Sequence, residues 1–114
     1  MSKKTGTSIF TSAQLASVEL ERDFQQRVVT LARRYGWRVY AVPDSRRATI
    51  AGYPDLTCWR DGQLVFAELK REKGRLSPAQ VEVLDELRLI AGAIVKVWRP
   101  SDWEDVVNTL VRRS

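Results

Sequence analysis

Apolar positions recur with a helical period in the first third of the chain and with a strand period after it. From about Ser12 to Tyr35 the apolar residues return every three or four positions, and Gly36 supplies a stop signal, so this stretch is predicted to be a helix. Alternating aromatic and β-branched residues then predict a strand over 37–42, which Pro43 ends. The chain therefore opens with a helix followed by a strand.

Two short apolar runs flank the dipeptide Asp61-Gly62, which is the pattern of a tight β-hairpin. If these two residues form the loop, the register of the hairpin sets Asp55 opposite Glu68. Directly opposed residues of an antiparallel pair share one face, with Cβ atoms about 4.5–5.5 Å apart. Lys70 lies on that face as well, because side chains alternate along a strand. The hairpin therefore predicts two carboxylates and a lysine on one face.

Helix and strand signals continue after the hairpin. The segment 77–80, Ser-Pro-Ala-Gln, carries the marks of a capping box and predicts a second helix to about Ala91. A fourth strand follows over 93–98, and a capping box beginning at Ser101 predicts a final helix to about Arg112. The order is α-β-β-β-α-β-α, and the long connection through the second helix predicts a parallel crossover strand. We therefore expect an α/β fold with a mixed four-stranded sheet flanked by helices.

Length and composition restrict the fold to one domain. The 114 residues are 44% apolar and 29% charged, as in soluble globular proteins, and no apolar run approaches the ~20 residues of a membrane span. We expect residues 1–12 to form a loose N-terminal arm and 13–114 to form a single domain. No signal-peptide pattern opens the chain, so a cytoplasmic protein without membrane association is expected. The net charge of +5 favours a polyanionic partner.

The absence of histidine narrows the chemistry further. With no histidine and only one cysteine, Cys58, the chain is not expected to hold zinc in a usual His/Cys site or to use a histidine-dependent triad. Acid-base work is left to carboxylates, lysine, tyrosine or water activated by a metal.

The predicted carboxylate pair suggests a cation. Two opposed carboxylates repel each other, and a divalent cation offsets that repulsion. Mg²⁺ and Mn²⁺ accept oxygen ligands, so Asp55, Glu68 and the backbone carbonyl of Leu69 form a candidate incomplete shell. Lys70 would orient or deprotonate water, or stabilise charge on phosphorus, and the sequence does not separate these roles. The competing interpretation is that Asp55 is an aspartate in a turn or at a strand edge, and that Glu68 forms a salt bridge to Lys70 or to an arginine on an exposed sheet face.

Further polar residues have two interpretations each. Glu21 borders the buried face of the first helix, either as an outer metal ligand or as a solvated acid. Gln80 closes a capping box, supports the carboxylates, or does both. Basic residues in the two flanking loops are either solvated or contact phosphates. These basic residues are Arg46, Arg47, Arg71, Lys73 and Arg75.

The order of these motifs resembles the PD-(D/E)xK nuclease superfamily, and most closely its VRR-NUC branch, the virus-type replication and repair nucleases. The resemblance covers nearly all of 20–98. It is carried by Glu21-Arg22-Asp23-Phe24-Gln25, Gly36-Trp37, Asp44-Ser45-Arg46-Arg47, Gly52-Tyr53-Pro54-Asp55-Leu56, Asp61-Gly62, Glu68-Leu69-Lys70, Lys73-Gly74-Arg75-Leu76-Ser77-Pro78-Ala79-Gln80 and Ala91-Gly92-Ala93.

The resemblance implies a restriction-endonuclease-like core and a site in which Asp55, Glu68 and the Leu69 carbonyl bind Mg²⁺ or Mn²⁺. It implies catalytic assistance from Lys70 and support from Glu21 and Gln80. It further implies a structure-selective DNA nuclease that acts as a homo-oligomer and is often virus-encoded. We therefore expect an endonuclease for flap or junction DNA in replication, repair or recombination, a homodimer or a higher oligomer, a bacterial or virus-infected bacterial cytoplasm as its setting, and no small-molecule cofactor. Some relatives carry a histidine before the Gly-x-Pro-Asp element, and this chain has none. The alternatives are a non-cleaving nucleic-acid-binding module and a structural subunit of a repair assembly.

Overall fold

Helices and strands follow the predicted order. The computed structural model describes residues 20–43 and 48–112. The predicted arm at 1–12, the start of the first helix and the arginine pair at 46–47 lie outside the described residues. The elements are α1 (Glu21–Arg34), β1 (Arg38–Ala41), β2 (Leu56–Arg60), β3 (Gln63–Leu69), α2 (Pro78–Arg88), β4 (Ala93–Trp98), a 3₁₀ turn (Pro100–Asp102) and α3 (Trp103–Val111).

The four strands form one mixed sheet in the order β1-β2-β3-β4, as predicted. The first three strands are antiparallel, and β4 returns through α2 to pair parallel with β3. Asp61 and Gly62 form the hairpin loop with φ values of +50° and +82°, the left-handed backbone that a type I′ turn requires. Leu56 therefore pairs with Ala67, which is the predicted register. Extended by one residue, this register sets Asp55 opposite Glu68.

The main core lies between one face of the sheet and the helices α1 and α3. Alternate residues of β2 and β3, such as Cys58 and Val65, point into it and are fully buried together with Phe24 of α1 and Leu110 of α3. The other face carries Glu68, and α2 packs there beside β4. Glu68 therefore lies on the face of the sheet opposite the core of α1 and α3.

A buried arginine joins the carboxyl-terminal ends of α1 and α3. The Arg60 guanidinium donates to the carbonyl oxygens of Tyr35 at 2.9 Å, Leu110 at 3.0 Å and Arg112 at 2.7 Å. It also lies 4.4 Å from the centroid of the Trp37 ring. Helix carboxyl ends carry partial negative charge and unpaired carbonyls, so a cation there stabilises both helices.

Two helix ends differ from the sequence predictions. α2 ends at Arg88 and not near Ala91, because its last turn tightens: the Ile90 amide bonds to the carbonyl three residues back, at 3.0 Å. The capping box predicted at Ser101 is wrong. Pro100 opens a 3₁₀ turn before α3, and the α3 N-terminus has no side-chain cap. The described helices include none that is long and apolar enough to cross a membrane.

Candidate active site

Asp55 lies at the entrance of β2, where two backbone contacts fix it. Its carbonyl accepts a hydrogen bond from the Val42 amide at 3.1 Å, which ties it to the end of β1. Its carboxylate oxygen Oδ2 accepts a hydrogen bond from the Leu69 amide at 2.8 Å. Asp55 therefore reaches across to the end of β3, as the hairpin register predicts.

Glu68 is a buried carboxylate with one paired and one unpaired oxygen. Only 2% of the residue is exposed. Oε2 accepts a hydrogen bond from the Gln80 side-chain amide at 3.0 Å and lies 3.9 Å from the Lys70 ammonium. Oε1 has no hydrogen-bond partner among the described residues. The structure thus brings Lys70 and Gln80 together on the predicted carboxylate, while one buried oxygen is left for a further ligand.

Gln80 has two roles at once. Its side-chain oxygen accepts from the Ser77 amide at 2.8 Å, and its own backbone amide donates to the Ser77 hydroxyl at 3.1 Å, which completes the capping box of α2. The Nε2 group of the same side chain donates to Glu68. Both interpretations of Gln80 from the sequence therefore hold together, because one amide carries an acceptor for the cap and a donor for the carboxylate.

Gly52 lets the segment before Asp55 approach α2 closely. Its φ of +86° is in the left-handed region, and a Cβ there would lie 2.4 Å from the Ala79 carbonyl group and 2.7 Å from the Gln80 nitrogen. No larger residue fits without moving the start of α2. The Gly-x-Pro-Asp segment is therefore in direct backbone contact with the residue that supports Glu68.

Burial and mutual repulsion raise the pKa of both carboxyl groups. Burial is the largest cause for Glu68, followed by the Asp55 charge, and together they raise its pKa to about 8 against the opposing effect of Lys70. Burial also raises the pKa of Asp55, against the lowering effect of the Leu69 amide. The neighbouring charge of Glu21 raises both. At neutral pH the pair therefore holds a proton that a cation can displace.

A cleft of about 530 Å³ opens beside Asp55. Glu21 and Gln25 of α1 line it together with Asp55 and Leu69, so the helix residues do reach the carboxylate region. Glu68 is buried and is not among the residues that line this cleft.

The donor set fits an oxygen-seeking divalent cation. The described residues contain no group of three His, Cys, Asp or Glu side chains arranged around a common point. The predicted shell of Asp55, Glu68 and the Leu69 carbonyl needs only two carboxylates, and the unpaired buried Oε1 of Glu68 is the kind of atom that a cation satisfies. The only cysteine, Cys58, is buried on the opposite face of β2 and offers no soft ligand.

The basic residues after Lys70 remain on the surface. Arg71, Lys73 and Arg75 are exposed in the loop between β3 and α2, and no contact of theirs to the carboxylates is seen in the described part of the chain. Two features near this loop were missed by sequence reasoning: Glu72 bonds to Ser101, and the Arg99 side chain bonds to the loop backbone. No local pattern marks these contacts, since each joins residues more than twenty positions apart.

Comparison with solved structures confirms the expected fold. The chain resembles a structure described as a VRR_NUC domain, with a TM-score of 0.62 and 20% sequence identity, over 77% of this chain and 94% of that chain. No family model and no curated protein sequence matches the chain. At this identity the likeness establishes the shared fold, a mixed sheet flanked by helices, and it agrees with the predicted resemblance to that family.

Proposed function

We propose that this chain is a nuclease of the VRR-NUC kind that hydrolyses phosphodiester bonds in DNA with the help of Mg²⁺ or Mn²⁺. One observation carries the proposal: Lys70 and Gln80 converge on a buried Glu68, the charge of Asp55 acts on the same carboxyl group, and its second oxygen has no hydrogen-bond partner among the described residues. The shared fold with a structure described as a VRR_NUC domain supports it.

In the proposed site, Asp55, Glu68 and the Leu69 carbonyl hold the cation. When bound, the cation supplies Lewis acidity, which activates water and offsets the negative charge of the phosphate. The Leu69 amide orients the Asp55 carboxylate, and Gln80 orients Glu68. These donors to the carboxylates keep the ligands in place before the cation arrives.

Lys70 contributes positive charge beside the reacting phosphate. Its ammonium lies 3.9 Å from Glu68 Oε2 with a side chain that is only 14% exposed, so its charge is weakly screened by water. From this position it would stabilise the extra negative charge on phosphorus or orient the attacking water. Glu21 adds negative potential around the cleft, which attracts a cation.

The proposed substrate is structured DNA, such as a flap or a junction, cut internally to leave a 5′-phosphate during replication, repair or recombination. The proposed setting is the cytoplasm of a bacterial cell, including a virus-infected one. We also propose a homodimer. Tyr40 and Trp59 support it, since they are 53% and 46% exposed on the face of β1 and β2 that points away from the core. Sedimentation of wild type and Trp59→Glu tests the dimer, and equal masses for the two proteins would contradict an interface there.

Cleavage assays test the nuclease directly. End-labelled duplex, flap, four-way junction and single-stranded DNA are incubated with Mg²⁺, Mn²⁺ or EDTA and wild type, Glu68→Ala or Glu86→Ala. The control residue Glu86 is exposed on α2, so its replacement removes a glutamate carboxyl group without touching the site. We expect cutting that requires metal, is lost in Glu68→Ala and survives in Glu86→Ala. Retained DNA binding without cutting of any substrate would instead favour the non-cleaving module.

A further inference from the structure

The loop that follows Lys70 is tied to the start of the last helical segment. The Glu72 carboxylate accepts two hydrogen bonds from Ser101, one from the backbone amide at 3.0 Å and one from the hydroxyl at 2.5 Å. The Arg99 guanidinium donates to the Gly74 carbonyl at 2.7 Å. Within the loop, the Gly74 amide donates to the Arg71 carbonyl at 3.0 Å and closes a turn. Three contacts from one region therefore fix a loop of eight residues, 70–77.

These contacts set the direction in which each side chain of the loop points. Exposure alternates along the loop: Glu72 and Gly74 are half-buried, and the three cations between and around them are exposed. Glu72 is thus turned towards Ser101, while Arg71, Lys73 and Arg75 face solvent. A loop held in this way presents its cations without first losing conformational freedom, which is a cost that a flexible loop meets on binding.

The same contacts reach the proposed catalytic lysine. A Cβ built on Gly74 would lie 3.6 Å from Cδ of Lys70, which is ordinary van der Waals contact. The Gly74 backbone, whose carbonyl is held by Arg99, therefore lies near Cδ in the stem of Lys70, and the Lys70 ammonium lies beside Glu68. Movement of the loop would release both the surface cations and this lysine.

We propose that Glu72, Ser101 and Arg99 are positioning residues that hold the 70–77 loop as a preformed surface for DNA phosphates and hold Lys70 beside Glu68. The inference rests on the proposed nuclease function and extends it to the way in which DNA is bound. The negative charge of Glu72 needs a structural explanation, because an acid in a phosphate-binding loop weakens binding through its charge alone. Its two bonds to Ser101 give a structural reason for its presence.

DNA binding by variants of Glu72 and Ser101 separates the effect of net charge from the effect of the loop contacts. Affinity for a fluorescent flap DNA is measured by anisotropy in EDTA for wild type, Glu72→Ala, Ser101→Ala and Ser101→Thr. Glu72→Ala adds one positive charge, so electrostatics alone predicts tighter binding, whereas loss of the loop contacts predicts binding weaker by about five- to tenfold. Ser101→Ala leaves the charge unchanged and is expected to weaken binding about threefold, and Ser101→Thr retains the hydroxyl and should bind as wild type does. Glu86→Ala is the matched charge control.

A second measurement reports the loop itself, independently of DNA. Trypsin cleaves after the exposed Arg71, Lys73 and Arg75, and mass spectrometry locates the cuts. We expect faster cleavage at these positions in Ser101→Ala and Glu72→Ala, and a wild-type rate in Ser101→Thr. Unchanged proteolysis, or a Glu72→Ala protein that binds DNA as tightly as Glu86→Ala or tighter, would overturn the proposal.

Kinetics tests the link to Lys70. In the cleavage assay, Glu72→Ala should raise KM through the surface cations and also lower kcat through Lys70, whereas a change in KM alone would overturn the part that concerns Lys70. If wild type cuts no DNA, the nuclease proposal fails, while the proteolysis result still decides whether Glu72 and Ser101 hold the loop. The two failures are therefore distinguishable.

Discussion

The buried Glu68 makes the stability of the metal-free protein depend on pH. Burial raises the pKa of Glu68 from 4.5 to about 8 in the folded chain. A raised pKa stabilises the fold through the bound proton, so this contribution is complete below about pH 4.5 and is lost as the pH rises towards 8. Each pH unit in this window changes the free energy of unfolding by up to about 1.36 kcal/mol. Between pH 5.5 and 7.5 we therefore expect a fall of up to about 2.7 kcal/mol.

The composition of the chain limits the number of other groups that titrate in this pH range. There is no histidine, so no side chain outside the pair of Glu68 and Asp55 ordinarily titrates between pH 5.5 and 7.5. Urea unfolding in EDTA, followed by tryptophan fluorescence at several pH values, gives the free energy directly. Glu68→Gln keeps the shape and removes the charge, so its stability should hardly change over this range, while the exposed control Glu86→Gln should follow wild type. Equal pH dependence in wild type and Glu68→Gln would show that the titration of Glu68 is not its cause. Saturating Mn²⁺ at pH 7.5 should restore the lost stability of wild type, since a cation that binds only the folded state stabilises it.

Three other substitutions test how the site is built. Gly52→Ala should lower both stability and cleavage, because its Cβ meets the start of α2. The control is Gly92→Ala, since Gly92 has a similar φ and open space around it. In a urea titration this control should lower the free energy of unfolding by only about 1–2 kcal/mol. Gln80→Glu retains a capping-box residue but replaces the donor to Glu68 with a negative charge. The melting temperature in EDTA at pH 5 should stay close to that of wild type, while metal-dependent cutting falls at least tenfold. An equal loss of stability and of cutting would contradict separate roles of Gln80 in the cap and at Glu68. Arg60→Met should lower the free energy of unfolding by about 3 kcal/mol, because it leaves helix carbonyls unpaired. DNA cleavage well below the melting temperature should be normal. Loss of cleavage at unchanged stability would show that Arg60 acts on the site.

The hairpin was predictable because its information is local. Asp61 and Gly62 specify one turn type, and a two-residue turn fixes the register of every pair up to Asp55 and Glu68. Lys70 follows from strand alternation, and its 3.9 Å approach to Glu68 agrees with that prediction. The parallel return of β4 also followed, since a helix-length connection permits little else.

Other features depend on distant parts of the chain and left no local signal. Ser101 has the sequence of a helix cap, but Pro100 opens a 3₁₀ turn and the hydroxyl bonds to Glu72. In the sequence Arg60 is simply the residue before the hairpin loop. In the fold it lies beside two helix ends, where it is buried and donates hydrogen bonds to helix carbonyls. The close approach of Gly52 to α2 likewise depends on tertiary packing. In each case the partner is separated by many residues, and pattern rules for short windows do not reach it.

The shared amide of Gln80 turns the beginning of α2 into a spectroscopic reporter of the carboxylates. The backbone N–H of Gln80 is held by Ser77, and the same residue's side chain bridges the Ser77 amide and Glu68. A change of charge at Glu68 therefore alters the electronic environment and the opening rate of the first turn of the helix. The amide resonances of Ser77 and Gln80, and their rates of hydrogen exchange, allow protonation and cation occupancy to be followed in the intact protein without any label, substrate or turnover.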